Sequence, residues 1–236
     1  MFYVDEVRGG RAWIRGETAE HLRRVLRVET GQQFEISDRQ DTYLAAVTGL
    51  SKDAVEFDLQ ERLPARRPGA RITVLASLVK FDHFEWMLEK CSELGAATLV
   101  PVVAARSEAG LDKAALKRQG RWTRISEESG QQCRRLQPMT IKPCIGFAAA
   151  VKAAGTVRLF LDEGGGLPLL NCLPDALDQI ALLVGPEGGW TEQEREHANS
   201  AGWTAVTLGE SILRAETAAI AAVSQIQGKW WSAERT

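Results

Sequence analysis

Cysteine and histidine are scarce in this chain, with four and three in 236 residues. Cys91, Cys133, Cys144 and Cys172 form no Cys-x-x-Cys pair and have few histidine companions, so no metal site is expected and the thiols read as reduced and structural. No apolar run reaches membrane-spanning length, and no charged-then-apolar leader precedes the first strand-like segment, so the expected location is cytoplasmic. An excess of either charge is also missing: 29 Lys and Arg against 31 Asp and Glu leave a net charge of −2. That balance neither supports nor excludes nucleic acid, because phosphates respond to local charge within a Debye length of about 10 Å. The chain has no Gly-Lys-Ser/Thr after a glycine loop and no Gly-x-Gly-x-x-Gly, so neither a P-loop nucleotide nor a Rossmann dinucleotide is indicated. Internal repeats and low-complexity tracts are absent too. What remains, 44% hydrophobic and 25% charged residues, is the composition of a globular protein with one large or two modest domains.

Two glycine loops organise the sequence. Ile180 to Val184 is a continuous apolar run, short enough for a strand covered on both faces. Gly185-Pro186-Glu187-Gly188-Gly189-Trp190 stops it, and Thr191-x-x-Glu194 is a capping box that opens a helix. Ala205 to Leu208 is a second strand, broken by Gly209, with an alanine-rich helix from Ala215 to Ile226. Loops at the carboxyl ends of neighbouring parallel strands would share one crevice, the usual ligand position in open α/β sheets. Free backbone groups at Gly185, Gly188, Gly189 and Gly209 suit a ligand with polar edges such as an adenine, and a Cβ at Gly188 is expected to block it. A pair of tight turns without a ligand is the plainer alternative. Trp190 reads as core rather than as a stacking platform.

Earlier in the chain, short strands at Phe2–Val4 and Ala12–Ile14 flank the Arg8-Gly9-Gly10 turn. Thr18 reads as N-cap of a helix over 19–28 that buries Leu22, Val25 and Leu26, with Gly31 ending it. Strands follow at 33–37, 43–50 and 54–59, giving a small antiparallel barrel with one helix. Leu63 to Gly69, with two prolines and a glycine, reads as the linker. Beyond it, a strand at 72–78 leads to a helix opened by Asp82 to Glu85, with Phe84, Met87, Leu88, Cys91 and Leu94 as its buried stripe and Gly95 as its stop. A strand at 98–103 completes a βαβ unit and implies a parallel sheet. Residues 111–132 are mostly helical with a break at Gly120, and the strand 157–161 ends at Asp162-Glu163-Gly164-Gly165-Gly166.

Leu183-Val184-Gly185-Pro186-Glu187-Gly188-Gly189 and Leu208-Gly209 with Ile212-Leu213-Arg214-Ala215-Glu216-Thr217-Ala218 resemble the two most characteristic motifs of the RsmE-type family of SPOUT RNA methyltransferases. The similarity extends through Lys90, Glu93-Leu94-Gly95, Pro101, Arg106-Ser107, and His21 with Val25-Leu26-Arg27 and Gly31. The resemblance implies an α/β fold: a SPOUT-type parallel sheet with a C-terminal trefoil knot over 69–236, preceded by a PUA-like RNA-binding barrel over 1–68. It implies a homodimer that uses S-adenosyl-L-methionine to methylate N3 of a uridine in 16S ribosomal RNA, with the assembled small subunit or the free RNA as substrate. The cofactor set it implies is Leu161, Val184, Gly185, Pro186, Glu187, Gly188, Leu208, Gly209, Ser211, Ile212, Leu213 and Thr217. Where family members commonly carry an arginine before the first aromatic strand, this chain has Met1-Phe2-Tyr3-Val4.

Transfer of a methyl group from a sulfonium depends chiefly on in-line positioning. Uracil N3 bears a proton, so the site needs a base or a cation that stabilises charge developing on O2 and O4. Arg214 fits as the electrostatic stabiliser and Glu216 as orienter or base; a helix-capping Glu216 paired with Arg214 is the alternative. Arg23, Arg24, Arg27, Lys80, Arg106, Arg134 and Arg135 are candidate RNA contacts, able to supply salt-dependent affinity, although charge runs are often simply solvated. The family pattern of an arginine after a glutamine and before a proline fits either Arg134 or Arg135. A ribose 2′-O-methyltransferase of the same superfamily is the competing enzyme, but no Asn-x-Gly with a following arginine occurs between 71 and 106. A non-catalytic ribosome assembly factor is the third reading, and the intact glycine loops count against it.

Overall fold

A computed structural model describes residues 1–65, 69–153, 155–174 and 179–233. Part of the expected linker, 66–68, lies outside the described residues. The chain divides into two compact units, Met1–Arg67 with Gly130–Gln137, and Pro68–Ser129 with Pro138–Thr236. The expected boundary near 68 therefore misses one exchange: residues 130–137 pack with the first unit.

In the first unit the strands are β1 (Phe2–Tyr3), β2 (Glu6–Arg8), β3 (Arg11–Arg15), β4 (Gln33–Ser37), β5 (Thr42–Leu50) and β6 (Ala54–Arg62), with α1 (Gly16–Arg24) between β3 and β4. They form one sheet in the order β1-β4-β5-β6-β3-β2, antiparallel except where β1 runs parallel to β4, and it curls into a half-barrel. Alternation buries Ala12 and Ile14 of β3 and Val55 and Phe57 of β6 against Leu22 of α1.

Helix α1 departs from expectation at both ends. It starts at Gly16 after an extended Arg15, so Thr18 lies inside the first turn. It closes at Arg24 because Arg27 takes the left-handed conformation (φ 51°) and the Val28 N–H bonds back to the Leu22 carbonyl at 3.1 Å. This closure returns Val28 to the core beside Leu22 and leaves Val25 and Leu26 63% and 50% exposed, although helical spacing predicts them buried.

The second unit contains β7 (Arg71–Ser77), α2 (Phe81–Glu93), β8 (Thr98–Val103), α3 (Leu111–Gln132, whose last residues belong to the first unit), β9 (Thr140–Ile141), β10 (Ile145–Gly146), α4 (Phe147–Ala150), β11 (Val157–Leu161), β12 (Leu167–Pro168), β13 (Gln179–Val184), α5 (Glu192–Ser200), β14 (Thr204–Thr207) and α6 (Ala215–Ala233). Its sheet is parallel, in the order β10-β8-β7-β13-β11-β14-β12, with β9 beside β8. The apolar run of β13 is explained by cover on both faces. Ile180, Leu182 and Val184 join one core cluster with Ile72 and Val74, while Ala181 and Leu183 join another with Leu75, Phe160 and Trp190. Helix α2 begins one residue before Asp82, with extended Lys80 as N-cap and no side-chain capping bond, so the expected capping pair does not form. Its stripe Phe84, Met87, Leu88 and Cys91 is buried, and Gly95 closes it with φ 96°. Helix α3 runs unbroken through Gly120, because Ala115, Trp122 and Ser126 anchor it on either side of that glycine. No described helix is long and apolar enough to cross a membrane.

Candidate active site

The two glycine loops do meet, but not as neighbours. Strand β11 lies between β13 and β14, and its own exit loop, Asp162 to Gly166, supplies a third wall. The three loops enclose a cavity of about 520 Å³ at the carboxyl ends of the strands. Leu161, Val184 and Val206, all buried, give it an apolar floor. Around the rim stand Glu163, Glu187, Glu210 and Arg214.

Each loop is fixed by its own bonds. In the first, the Gly189 N–H turns back to the Pro186 carbonyl at 2.9 Å, with Gly189 at φ 66°, where a Cβ would strike the Glu163 carboxylate. The Arg106 guanidinium donates to the Gly188 carbonyl at 2.7 Å and to the Trp190 carbonyl at 3.3 Å. Trp190 is buried, as its core reading requires, and its indole N–H donates to the Leu161 carbonyl at 2.8 Å, tying the first loop to the third. The Thr191–Glu194 capping box forms as expected, and the second Glu194 oxygen accepts the Ala105 N–H at 2.8 Å. In the third loop Asp162 holds Arg195 through bonds of 2.8–3.1 Å, which raise the Arg195 pKa. In the second loop the Thr207 hydroxyl donates to the Gly209 carbonyl at 2.9 Å, and Gly209 adopts φ 144° with no atom within 4 Å of where a Cβ would stand.

Ten of the twelve residues expected around a cofactor line the cavity: Leu161, Val184, Gly185, Pro186, Glu187, Leu208, Gly209, Ser211, Ile212 and Leu213. Gly188 and Thr217 do not. A Cβ on Gly188 would press the Arg106 side chain at 3.3 Å, so this glycine makes room for the arginine clamp. Arg214 lines the mouth, and its carbonyl accepts the Ala218 N–H at the start of α6. Glu216, 4% exposed, sits in the first turn of that helix.

Residues 66–227 match the family model for an RNA methyltransferase domain, and 14–60 that for an RNA methyltransferase PUA domain. The ribosomal RNA small subunit methyltransferase E of Bacillus subtilis is 30% identical over 226 residues, covering 90% of this chain and 88% of its own. This chain belongs to that family. A family member from Neisseria gonorrhoeae, crystallised bound to S-adenosylmethionine, superposes with a TM-score of 0.87 at 30% identity over 97% of each chain. A Legionella pneumophila protein in complex with the same cofactor gives 0.86 at 26% identity over 96% of each chain.

Of the candidate RNA contacts, Arg23, Arg24, Arg27, Arg134 and Arg135 lie in the first unit, and Lys80 and Arg106 in the second. Several are engaged already. Arg23 donates to the Lys52 carbonyl at 2.6 Å, Arg24 pairs with Glu20 at 2.7 Å, and Arg134 pairs with Glu35 at 3.1 Å. Arg135 is half-buried, and that burial lowers its pKa. Lys80 is exposed. Sequence reasoning missed the cavity residues Asp162, Glu163 and Glu210 and, farthest from any motif, His83 on the first turn of α2. It stands about a hundred positions before either glycine loop and belongs to no motif, so only the fold brings it there. Among the described residues no group of side chains could hold a metal ion.

Proposed function

We propose that this protein is an S-adenosylmethionine-dependent methyltransferase acting on N3 of a uridine in 16S ribosomal RNA of the small subunit. Family membership supports the reaction class. The observation that carries it to this chain is the three-loop cavity, which fits the cofactor: an apolar floor for an adenine, main-chain groups freed by glycine, and carboxylates at the rim able to bond ribose hydroxyls. When bound, S-adenosylmethionine supplies an electrophilic methyl on a positively charged sulfur. The chain's part is to place the acceptor and manage its charge. Arg214 at the mouth is positioned to stabilise negative charge on O2 and O4 as N3 loses its proton, and buried Glu216 to orient the groups that receive it.

The finer readings rest on the same footing. Cytoplasmic location follows from a ribosomal substrate. A homodimer is supported by Ile212 and Trp231, 78% and 50% exposed, and light scattering of the purified protein should return twice the mass of one chain. A trefoil knot is supported by the sheet order β7-β13-β11-β14, in which the chain re-enters the middle of the sheet before crossing to its far side.

Calorimetric titration with S-adenosylhomocysteine tests the site. Wild type should bind in the micromolar range, about −8 kcal/mol. Gly209→Val, which brings a branched side chain to a cavity residue at φ 144°, should lose at least about tenfold in affinity while folding normally by circular dichroism. A folded wild type that fails to methylate unmodified small subunits, whether or not it binds the ligand, would sink the reading.

A further inference from the structure

Three carboxylates surround one imidazole at the end of the cavity. The Nδ1 atom of His83 lies 3.5 Å from Glu187 Oε1 and 3.6 Å from Glu216 Oε1, and Nε2 lies 3.9 Å from Asp82 Oδ2. Nδ1 is shielded from solvent and makes no hydrogen bond among the described residues, and neither does the buried Oε2 of Glu216. The His83 side chain as a whole is 32% exposed, against 6% for Glu216. The ring thus turns its buried nitrogen to two carboxylates from different elements, the first glycine loop and α6.

We propose that His83 is the catalytic base that receives the N3 proton of the uracil, with Glu216 as its positioning residue. This assignment rests on the function proposed above. Carboxylates can only accept, so Glu187 and Glu216, both nearer than Asp82 is to Nε2, favour the tautomer that carries its hydrogen on Nδ1. Nε2 is then left with a free lone pair on the more exposed side of the ring. A small closure of about half an ångström would bring the Nδ1–H within ordinary hydrogen-bond distance of either glutamate, the kind of tightening that acid–base sites undergo when substrate binds. In the proton step the N3–H bond breaks, its electron pair stays on N3, and the proton moves to Nε2. Glu216 and Glu187 face the resulting imidazolium, as do Asp82 on its own helix and, farther round the rim, Glu163 and Glu210, with Arg214 the opposing cation. Solvent at the exposed edge then takes the proton away. The arrangement follows the logic of a carboxylate-oriented imidazole, in which the acid fixes the tautomer and does not itself take the proton.

The test uses the full chain and two variants, His83→Gln and Glu216→Gln. Nitrogen-15 NMR of the wild-type imidazole should show the Nδ1–H tautomer when neutral, and this preference should weaken in Glu216→Gln. Turnover of His83→Gln is compared with wild type at saturating S-adenosylmethionine, so that any change in cofactor affinity is separated from the chemical step. Single-turnover methylation of unmodified small subunits by this variant should fall by about 100-fold or more, with loss of the acidic limb of the pH–rate profile. A neutral ring carrying its hydrogen on Nε2 overturns the proposal, as does a His83→Gln enzyme that keeps wild-type turnover and the same acidic limb. Wild type that binds S-adenosylhomocysteine yet fails to methylate small subunits overturns the function itself and this role with it, so the two failures are told apart by the wild type alone.

Discussion

The side-chain amide of Gln227 is enclosed in α6 and directs its bonds entirely at main chain. It accepts from the Ala70 N–H at 3.0 Å and donates to the carbonyls of Ala70 at 3.1 Å and Gly95 at 3.3 Å. Replacing it with leucine would leave those groups buried and unbonded. Each unsatisfied group costs about 1–3 kcal/mol, so Gln227→Leu should lower unfolding stability by about 3 kcal/mol, read as a lower urea midpoint with an unchanged slope. Cys91 makes a different prediction. Burial pushes its thiol up to about 12 from an ordinary 9.0, so the native protein should leave Cys91 unalkylated at pH 8 while the unfolded chain reacts, as peptide mass spectrometry would show. The sign for stability follows: between about pH 9 and 12 the native state keeps a proton that the unfolded state releases, so this thiol makes stability fall as pH rises through that window. Single residues were unevenly legible. Gly95 reads from sequence as a helix stop, and its φ of 96° agrees, yet a Cβ there would also stand 3.0 Å from the Gln227 amide, a partner 132 positions away that no local pattern discloses. Gly188 carries the same lesson, since the Arg106 side chain that crowds it lies 82 positions away.

Among the elements, the first glycine loop is held from outside by Arg106. Arg106→Ala would strip both the Gly188 and Trp190 carbonyls of this donor and free the loop that bears Pro186 and Glu187. Affinity for S-adenosylhomocysteine should fall by about tenfold, equivalent to about 1.4 kcal/mol, with little change in thermal stability because the arginine is exposed. If calorimetry shows no loss, the loop is set by its own turn and not by the clamp. Elements with a strong period or cap were readable in advance. The α5 capping box and the β13 run are local facts, and local chemistry decides them. The carboxyl end of helix α1 is not legible in the sequence because its closure depends on Arg27 adopting a conformation more often taken by glycine, which propensity argues against. The third wall of the site is hidden from the sequence for a related reason: short apolar strands announce that they are buried, not which neighbour they pair with.

For the molecule as a whole, the exchange at residues 130–137 matters most. The Tyr3 hydroxyl donates to the Arg135 carbonyl at 3.0 Å, the Ser37 hydroxyl to the Leu136 carbonyl at 2.9 Å, and the Gln137 amide to the Arg39 carbonyl at 2.6 Å. A fragment comprising 69–236 would carry this segment without those partners. Trypsin should therefore cut the fragment rapidly after Arg134 or Arg135 and spare that site in the full chain, and equal resistance in both would show that the segment folds without the first unit. The fold class was legible because the parallel sheet is written in apolar runs separated by helices. The order of the strands was not, because pairing across a hundred residues leaves no local trace.

That order sets a timetable for synthesis. Strand β13 is the centre of the second sheet, paired with β7 on one side and β11 on the other. It is also among the last strands made, so β7 must wait for more than a hundred further residues before its long-term neighbour emerges. Until then the growing chain carries an open, apolar sheet edge beside the ribosome, and the cavity cannot exist before the start of α6 has been made.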